Sequence, residues 1–431
     1  MSDEANLDLV IVGAGIGGVI CLKYAKDAGL KTLLLERGER VGGVWRDLPP
    51  WQDIQFRKED WTLGNLPISG VDQASILRNI EAWVERYGLS PSIRLNSAVT
   101  SARWSNRGWE VRAGGSIYRA SYLIAASGGY NRAVIPDVRR TDSGLAEYHS
   151  SALKSPGILR GKRVTVVGGG ASAYDLLDLC IEHKARSVVW VYRTAKWMRP
   201  TLQAKHLGVD MRRLSRWQML GFPIAVVNWL INKDLRRRYA KAGVEAIKPD
   251  GDFDIRRHQL IPGRCLMLRN FKNIERHVGE VSSIRGKTIA LSNGDAFEGD
   301  ILLWGTGYAV ELEYLNLATF SSGQRLGELR GRCCSAFRST DAPNLFLLAA
   351  GVQETNTSAP WAYAHAAKSI MSHIRGPEGF KKAPQQDKVN HYDLVKLFAK
   401  DDRRSYPRGQ WYAKYLRLAM WYPRSQPLPM P

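Results

Sequence analysis

The stretch LVIVGAGIGGVICLKYAKDAGLKTLLLE, residues 9–36, decides the fold of this 431-residue chain. A short apolar run is followed by a glycine-rich turn, by apolar residues at helical spacing, and by a second apolar run that closes on Glu36. This order predicts a strand, a helix and a second strand. Gly13 permits the tight turn, Gly15 lets a pyrophosphate approach the backbone, and Gly18 lets the helix pack closely on the strand. Because a carboxylate at the end of the second strand can bond a ribose diol, the stretch predicts a dinucleotide site.

Residues 163–193 repeat this organisation as RVTVVGGGASAYDLLDLCIEHKARSVVWVYR. Gly168, Gly170 and Ala173 occupy the three positions of the glycine fingerprint, and alanine in the last position still allows close packing. The second strand ends on Arg193 rather than on an acid. A cation there suits a 2′-phosphate, so the two units together predict FAD at the first and NADPH at the second. The further candidates for the NADPH site are Ser172, Thr194, Lys196 and Arg199.

The composition limits the classes of protein and partner. Lys and Arg number 62 against 41 Asp and Glu, a formal net charge of +21. Such a charge suits an anionic cofactor, nucleic acid or an anionic membrane surface, but no nucleic-acid-reading motif accompanies it. The five cysteines have no metal-ligand spacing, so we expect no metal site and a reducing compartment. The first residues have no signal pattern and no stretch reaches about 18 apolar residues, which predicts a cytoplasmic protein.

Two further motifs resemble those of a known family. ERGERVGGVW, residues 36–45, resembles the E-x-x-x-x-x-G-G-x-W signature of the two-dinucleotide flavin-containing monooxygenase family. DILLWGTGY, residues 300–308, resembles that family's D-x-x-x-x-A-T-G-Y segment, with Gly305 in the alanine place. The FAD-binding residues that this resemblance implies, beside those of the first glycine turn and Glu36, are Arg37, Gly43, Trp45, Thr306 and Gly307.

A third motif of the family is only partly present. His149 ends a segment that resembles F-x-G-x-x-x-H, but Ser143 and Leu145 stand in the phenylalanine and glycine places. This departure leaves open the split between heteroatom oxygenation and Baeyer–Villiger chemistry. Many relatives place an Asn over the flavin, and residues 52–67 are where we would seek it. The candidates for catalysis are therefore Gln55, Arg57, Asn65 and His149.

The resemblance, which runs from about residue 7 to about residue 372, implies an α/β fold with two Rossmann-like dinucleotide-binding domains, the NADPH domain inserted into the FAD domain. The expected divisions are 1–155 for the first part of the FAD-binding domain, 156–307 for the NADPH-binding domain with a helical basic insertion near 200–245, 308–375 for the second part of the FAD-binding domain, and 376–431 for a C-terminal extension. Within the NADPH-binding domain, residues 282–299 predict two short strands joined at Asn293-Gly294.

The resemblance implies an FAD- and NADPH-dependent monooxygenase. Such an enzyme inserts one oxygen atom from O2 into a small organic substrate, at nitrogen, sulfur or an activated carbon, through a C4a-(hydro)peroxyflavin. One alternative is a Baeyer–Villiger monooxygenase. Another is an NADPH-dependent reductase or dehydrogenase without oxygenation, although no C-x-x-C lies beside the NADPH unit. A flavoprotein scaffold at a membrane is the non-enzyme alternative.

Two basic, aromatic segments, 193–241 and 400–431, have no further role in these motifs beyond the NADPH-site candidates at the start of the first. The first contains WQMLGFPIAVVNWLI, residues 217–231, which is too short to span a bilayer. The interpretations are a helical lid over the substrate cleft, a peripheral contact with an anionic membrane, and a cation-lined channel for NADPH or an acidic substrate. For the C-terminal segment the interpretations are a docking helix, a membrane or protein contact, and a wall of the substrate pocket. The sequence does not predict an oligomeric state.

Overall fold

The computed structural model describes residues 6–54, 58, 61–64, 66–202, 222–320, 323–329, 333–334, 338–348 and 359–375. In chain order the strands are β1 (Asn6–Val12), β2 (Thr32–Leu35), β3 (Ile93–Arg94), β4 (Val99–Ser105), β5 (Gly108–Ala113), β6 (Ser116–Ala125), β7 (Arg132–Ala133), β8 (Arg139–Thr141), β9 (Ala146–His149), β10 (Arg163–Val167), β11 (Ser187–Tyr192), β12 (Met198–Arg199), β13 (Ile261–Pro262), β14 (Glu275–Val278), β15 (Val281–Arg285), β16 (Thr288–Leu291), β17 (Ala296–Glu298), β18 (Ile301–Trp304), β19 (Tyr308–Ala309), β20 (Cys333–Cys334), β21 (Arg338–Ser339) and β22 (Leu345–Leu347). The α-helices are α1 (Ile16–Asp27), α2 (Val44–Asp47), α3 (Gln73–Arg86), α4 (Ala171–Glu182), α5 (Ile224–Ala242), α6 (Cys265–Arg269), α7 (Leu326–Leu329) and α8 (Ala359–Arg375).

The first glycine turn belongs to a mixed sheet, to which nine of the described strands contribute. Its order is β20-β21-β22-β6-β1-β2-β3, and the pairing is parallel from β22 through β3. β5 and β4 extend from β6 as an antiparallel arm. Because β22 lies near residue 346, the sheet combines the beginning of the chain with a segment more than two hundred residues later.

Strand β1 is buried on both faces, which explains its continuous apolar sequence. Leu9 and Ile11 pack into the cluster formed with α1, α3 and α8. Val10 and Val12 point to the opposite face and pack against residues of the antiparallel arm. The strand therefore lies between a helical layer and a β layer.

The second glycine turn belongs to a sheet of parallel strands in the order β14-β11-β10-β18-β9. One face packs against α4, α5 and α6. The other face packs against a small sheet of β17, β16, β15 and β8. Strand β9 ends at His149, before the expected division at residue 155, and it hydrogen-bonds into this second sheet.

The small sheet corrects one expectation. Residues 282–299 were expected to form two strands, and the structure has three, because β15, β16 and β17 make two consecutive hairpins. Gly286, at φ +57°, forms the additional turn, and Gly294, at φ +94°, lies in the expected one. Positive φ costs glycine little, so both positions accept a tight turn.

Helix α5 forms the described part of the basic insertion. It begins after Pro223, which cannot continue a helix backwards, and it ends at Gly243 in the left-handed conformation. Residues 217–221 of the predicted lid and the extension 376–431 lie outside the described residues. Across the described ranges, none of the helices has the length and apolar character that crossing a membrane requires.

Candidate cofactor-binding cleft

The carboxyl ends of β1 and β10 open onto one cleft of about 2040 Å³. Both glycine turns line it, together with the ends of the second strand of each unit. In open parallel sheets, ligands bind at this edge of the strands. The fold therefore places the two predicted dinucleotide sites side by side in a shared space.

The first glycine turn has two kinds of glycine position. A Cβ on Gly18 would overlap the carbonyl oxygen of Gly13, so this position needs glycine for the helix to pack on the turn. A Cβ on Gly15 would meet only the Cα of Gly43, at 3.6 Å, and would otherwise point into open space. Gly15 is also the N-cap of α1 and has no side-chain cap. The free N–H groups of this helix end suit a pyrophosphate.

Glu36 closes the first unit as a buried carboxylate, with 7% of the residue exposed. One oxygen accepts the N–H of Ala14 at 2.6 Å, and the other accepts the N–H of Gly38 at 2.8 Å. The carboxylate thus joins the glycine turn to the loop after β2. It also lines the cleft, where it can accept hydrogen bonds from a ribose diol.

The other residues of the first site lie around this carboxylate. Arg37 is exposed and lies 3.6 Å from carboxylate oxygens of both Asp47 and Glu311. Gly43, at φ +57°, approaches the glycine turn so closely that a Cβ would lie 2.7 Å from the Cα of Gly15. The buried Trp45 ring also lines the cleft.

Thr306 and Gly307 lie where the chain leaves the second sheet, and both line the cleft. The Thr306 hydroxyl donates a hydrogen bond to the carbonyl of Val134, which joins this turn to the segment that follows β7. Gly307 has φ +79°, and its carbonyl faces the His149 ring.

His149 lies behind this turn and is not among the residues that line the cleft. Its Nδ1 accepts the N–H of Ser151 at 3.2 Å, and its Nε2 lies 3.1 Å from the carbonyl oxygen of Gly307. The ring is therefore the neutral tautomer with hydrogen on Nε2, which donates to Gly307. Burial lowers the pKa of His149, in agreement with this state. His149 therefore bonds the carbonyl of Gly307, which lines the cleft, without lining the cleft itself.

The second glycine turn repeats the first in most details. Gly168 has φ +136°, and a Cβ there would overlap the carbonyl oxygen of Gly305. Gly170 is the N-cap of α4, without a side-chain cap, and a Cβ on it would meet only Cγ of Lys196, at 3.9 Å. Ala173 is buried beneath the turn, whereas Ser172 lines the cleft.

The end of the second unit differs from that of the first. The Arg193 side chain is 75% exposed, and its guanidinium lies 2.9 Å from a carboxylate oxygen of Glu280. Thr194 and Lys196 are exposed and line the cleft. Arg199 does not line it, which corrects the expectation for that residue. Its side chain is buried, and its Nε lies 3.4 Å from Asp234 on α5.

Sequence reasoning missed a buried ion pair on the cleft wall. Arg264 Nε donates to Asp175 of α4 at 2.5 Å, and both side chains are less than one-tenth exposed. Gln52, from the first sheet's side of the cleft, has its amide nitrogen 3.4 Å from the same carboxylate. The available signal was a pair of acids at helical spacing, Asp175 and Asp178, within an otherwise largely apolar stretch of the predicted helix.

Three candidates for catalysis, Gln55, Arg57 and Asn65, lie outside the described residues. In the part of the chain that is described, no group of three or more His, Cys, Asp or Glu side chains could hold a metal ion.

Comparison with known proteins agrees with this geometry. Residues 10–213 match the family model described as pyridine nucleotide-disulphide oxidoreductase, and residues 135–325 match the one described as flavin-binding monooxygenase-like. The chain is similar to a crystal structure of OTEMO in complex with FAD and NADP. The TM-score is 0.65 at 19% identity, over 88% of this chain and 86% of that one. At this identity the likeness shows the fold, including two Rossmann-type domains.

Two curated relatives share part of the sequence. A 2-oxo-Δ3-4,5,5-trimethylcyclopentenylacetyl-CoA monooxygenase of Pseudomonas putida is 29% identical over 46% of this chain and 41% of its own length. A Baeyer–Villiger monooxygenase of Streptomyces coelicolor is 23% identical over 71% of this chain and 65% of its own length. The chain thus spans less than two thirds of these relatives. Two glycine turns therefore line one cleft, and the chain is similar to the flavin-binding monooxygenase-like family model over residues 135–325 and to the pyridine nucleotide-disulphide oxidoreductase model over residues 10–213.

Proposed function

We propose that the protein binds FAD at the first glycine turn and NADPH at the second, and that it inserts one oxygen atom from O2 into a small organic substrate. The single cleft that both turns line carries this proposal, because hydride transfer between the cofactors requires them to meet. The names of both curated relatives, each a monooxygenase, support the activity. The similar OTEMO structure is a complex with FAD and NADP, which supports the cofactor pair.

The residues of the first turn would hold FAD. The free N–H groups at the start of α1 would bind the pyrophosphate, and Glu36 would bind the ribose. Trp45 offers a flat face beside a ring system, and the turn at Thr306 and Gly307 offers backbone N–H groups to an anionic ring edge. The bound flavin supplies the redox and oxygen-transfer chemistry, and the protein supplies orientation and exclusion of water. His149 acts in this scheme by holding Gly307.

The residues of the second turn would hold NADPH. The start of α4 at Gly170 would bind the pyrophosphate, beside the Ser172 side chain. Arg193 and Lys196 would bind the 2′-phosphate, with Thr194 between them. Arg193 is well placed for this because it is exposed to the cleft at the end of β11.

The test is a labelling experiment with the purified, flavin-loaded protein. NADPH, ¹⁸O2 and a panel of amines, sulfides and ketones are supplied, and products are analysed by mass spectrometry. We expect NADPH consumption with one ¹⁸O atom in the product. NADPH consumption that yields only hydrogen peroxide or a reduced acceptor would instead support the reductase or dehydrogenase.

The same panel separates the two oxygenase classes. Labelled N-oxides or sulfoxides indicate heteroatom oxygenation, whereas a labelled ester or lactone from a ketone indicates Baeyer–Villiger chemistry. We include ketones because one curated relative is a Baeyer–Villiger monooxygenase.

We also propose a cytoplasmic location with a peripheral membrane contact through α5. Three described cysteines, Cys21, Cys180 and Cys265, are free and buried, which supports a reducing compartment. Trp229 on α5 is 57% exposed, and Lys233 lies over its ring. Aromatic and basic groups on one helix face suit the surface of an anionic bilayer. Co-sedimentation with phosphatidylserine vesicles, compared with phosphatidylcholine vesicles, tests this contact.

A further inference from the structure

The exposed ion pair at the end of the second unit joins two neighbouring strands. Arg193 follows β11, and Glu280 follows the adjacent parallel strand β14. Tyr192 and Val278 are paired across these strands, and the N–H of Gly279 donates to the carbonyl of Tyr192 at 3.1 Å. The register therefore brings Glu280 beside Arg193, although 87 residues separate them.

Both members of the pair face the cleft. The Arg193 side chain is 75% exposed, the Glu280 side chain is 57% exposed, and their closest nitrogen and oxygen atoms are 2.9 Å apart. A 2′-phosphate that reached Arg193 would meet a carboxylate already bound there. A ribose 2′-hydroxyl would instead find an acceptor, as it does at acid-terminated units.

We infer that Glu280 sets the coenzyme selectivity of this site, by weakening the binding of NADP(H) while leaving NAD(H) an acceptor for its ribose. The inference rests on the proposed NADPH site. The carboxylate competes with the phosphate for Arg193, and its charge repels the phosphate through solvent. One unit charge at about 4 Å in water changes affinity roughly five-fold.

The test is calorimetric binding of NADP⁺ and NAD⁺ to the full-length, flavin-loaded protein and to its Glu280→Gln variant. We expect Glu280→Gln to bind NADP⁺ about five-fold more tightly and NAD⁺ no more tightly than the parent protein. Melting temperature checks that the variant is folded. Arg193→Gln should have the opposite effect, a selective loss of NADP⁺ affinity.

The matched control is Glu298→Gln. Glu298 makes a similar ion pair with Arg163 at 2.8 Å, its side chain is 61% exposed, and neither residue lines the cleft. Glu298→Gln should leave both affinities unchanged. Equal changes for NADP⁺ and NAD⁺ in Glu280→Gln, or no change in either, would overturn the inference while leaving the proposed function intact. A parent protein that binds neither nucleotide would overturn both.

Discussion

The two glycine turns of this protein have similar backbones. The residues that follow the second strand of each unit, Glu36 and Arg193, are here called the closing residues, and their surroundings differ. Glu36 is buried and holds its own turn through two backbone N–H groups. Arg193 is exposed, and its ion-pair partner among the described residues, Glu280, is itself exposed. The charged group of the first site is therefore fixed within the fold, whereas that of the second lies at the surface in an exposed ion pair. The difference suits a first cofactor that stays bound and a second one that exchanges.

The largest expected effect comes from comparing two glycines of the first turn, one needed for the packing of α1 and one for the binding of FAD. Gly18→Ala places a methyl group against the Gly13 carbonyl, so α1 cannot pack, and we expect a destabilisation of more than about 4 kcal/mol or no folded protein. Gly15→Ala should fold normally and bind FAD weakly, because its methyl group enters only the cleft. Melting temperature and retained flavin are the measurements.

Gly170→Ala is the control for that pair of variants. Its methyl group also enters only the cleft, so this variant should keep both its fold and FAD and should bind NADP⁺ weakly. Loss of flavin from Gly170→Ala, with flavin kept by Gly15→Ala, would reverse the assignment of the two turns.

The second-largest expected effect concerns the buried ion pair between Arg264 and Asp175 on the cleft wall. Arg264→Met leaves the Asp175 carboxylate buried without its closest cation, and removing one partner of a buried pair costs about 3–5 kcal/mol. Urea denaturation measures the change. The double variant with Asp175→Leu should recover part of the loss. If Arg264→Met alone unfolds at the same urea concentration as the parent, the pair does not fix α4 to the segment before α6.

Replacing the two closing residues compares the two turns directly. Glu36→Gln weakens charge-assisted hydrogen bonds from two backbone N–H groups, and we expect a loss of about 1.5–3 kcal/mol in the free energy of unfolding. Arg193→Gln removes an exposed ion pair and should change the free energy of unfolding by less than about 0.5 kcal/mol. Equal losses in urea denaturation would mean that the second closing residue is as much a part of the fold as the first.

The smallest expected effect is a pH dependence of the free energy of unfolding that arises from His277, on the edge strand β14 of the second sheet. Burial lowers the pKa of His277, but its hydrogen bonds to Glu275 and Asp295 outweigh this, and the net shift is upward from 6.5. The stabilisation is therefore complete below pH 6.5 and is lost as the pH rises through the raised pKa. Urea denaturation at a series of pH values above 6.5 should show the free energy of unfolding falling as the pH rises. The variant His277→Gln should not show this fall. A parallel decline in the variant would assign it to other groups.

The sequence was sufficient for features that depend on local order. Residues 9–36 predict β1, α1 and β2 because the turn chemistry and the two periodicities agree. The same holds for residues 163–193. The Gly18 requirement follows from the fingerprint as well, and the structure supplies its cause in the Gly13 carbonyl.

Features formed between distant segments were not predictable. Arg264 and Asp175 are 89 residues apart, and only the packing of α4 against the segment before α6 brings them together. Arg199 looked like a phosphate ligand because sequence shows its charge but not its burial beside Asp234. Glu280 became relevant only once the parallel pairing of β11 and β14 was known.

The chain leaves the first sheet and returns to it through two strands that lie side by side, β7 and β19. The N–H of Val134 donates to the carbonyl of Gly307 at 3.0 Å, so the exit and the return are one hydrogen bond apart. The segment between these two strands therefore begins and ends at neighbouring points, and Trp51 and Gln52 hydrogen-bond to it elsewhere. An exchange of the segment between residues 133 and 308 with that of a relative would therefore need two neighbouring junctions and a match to the contacts of Trp51 and Gln52.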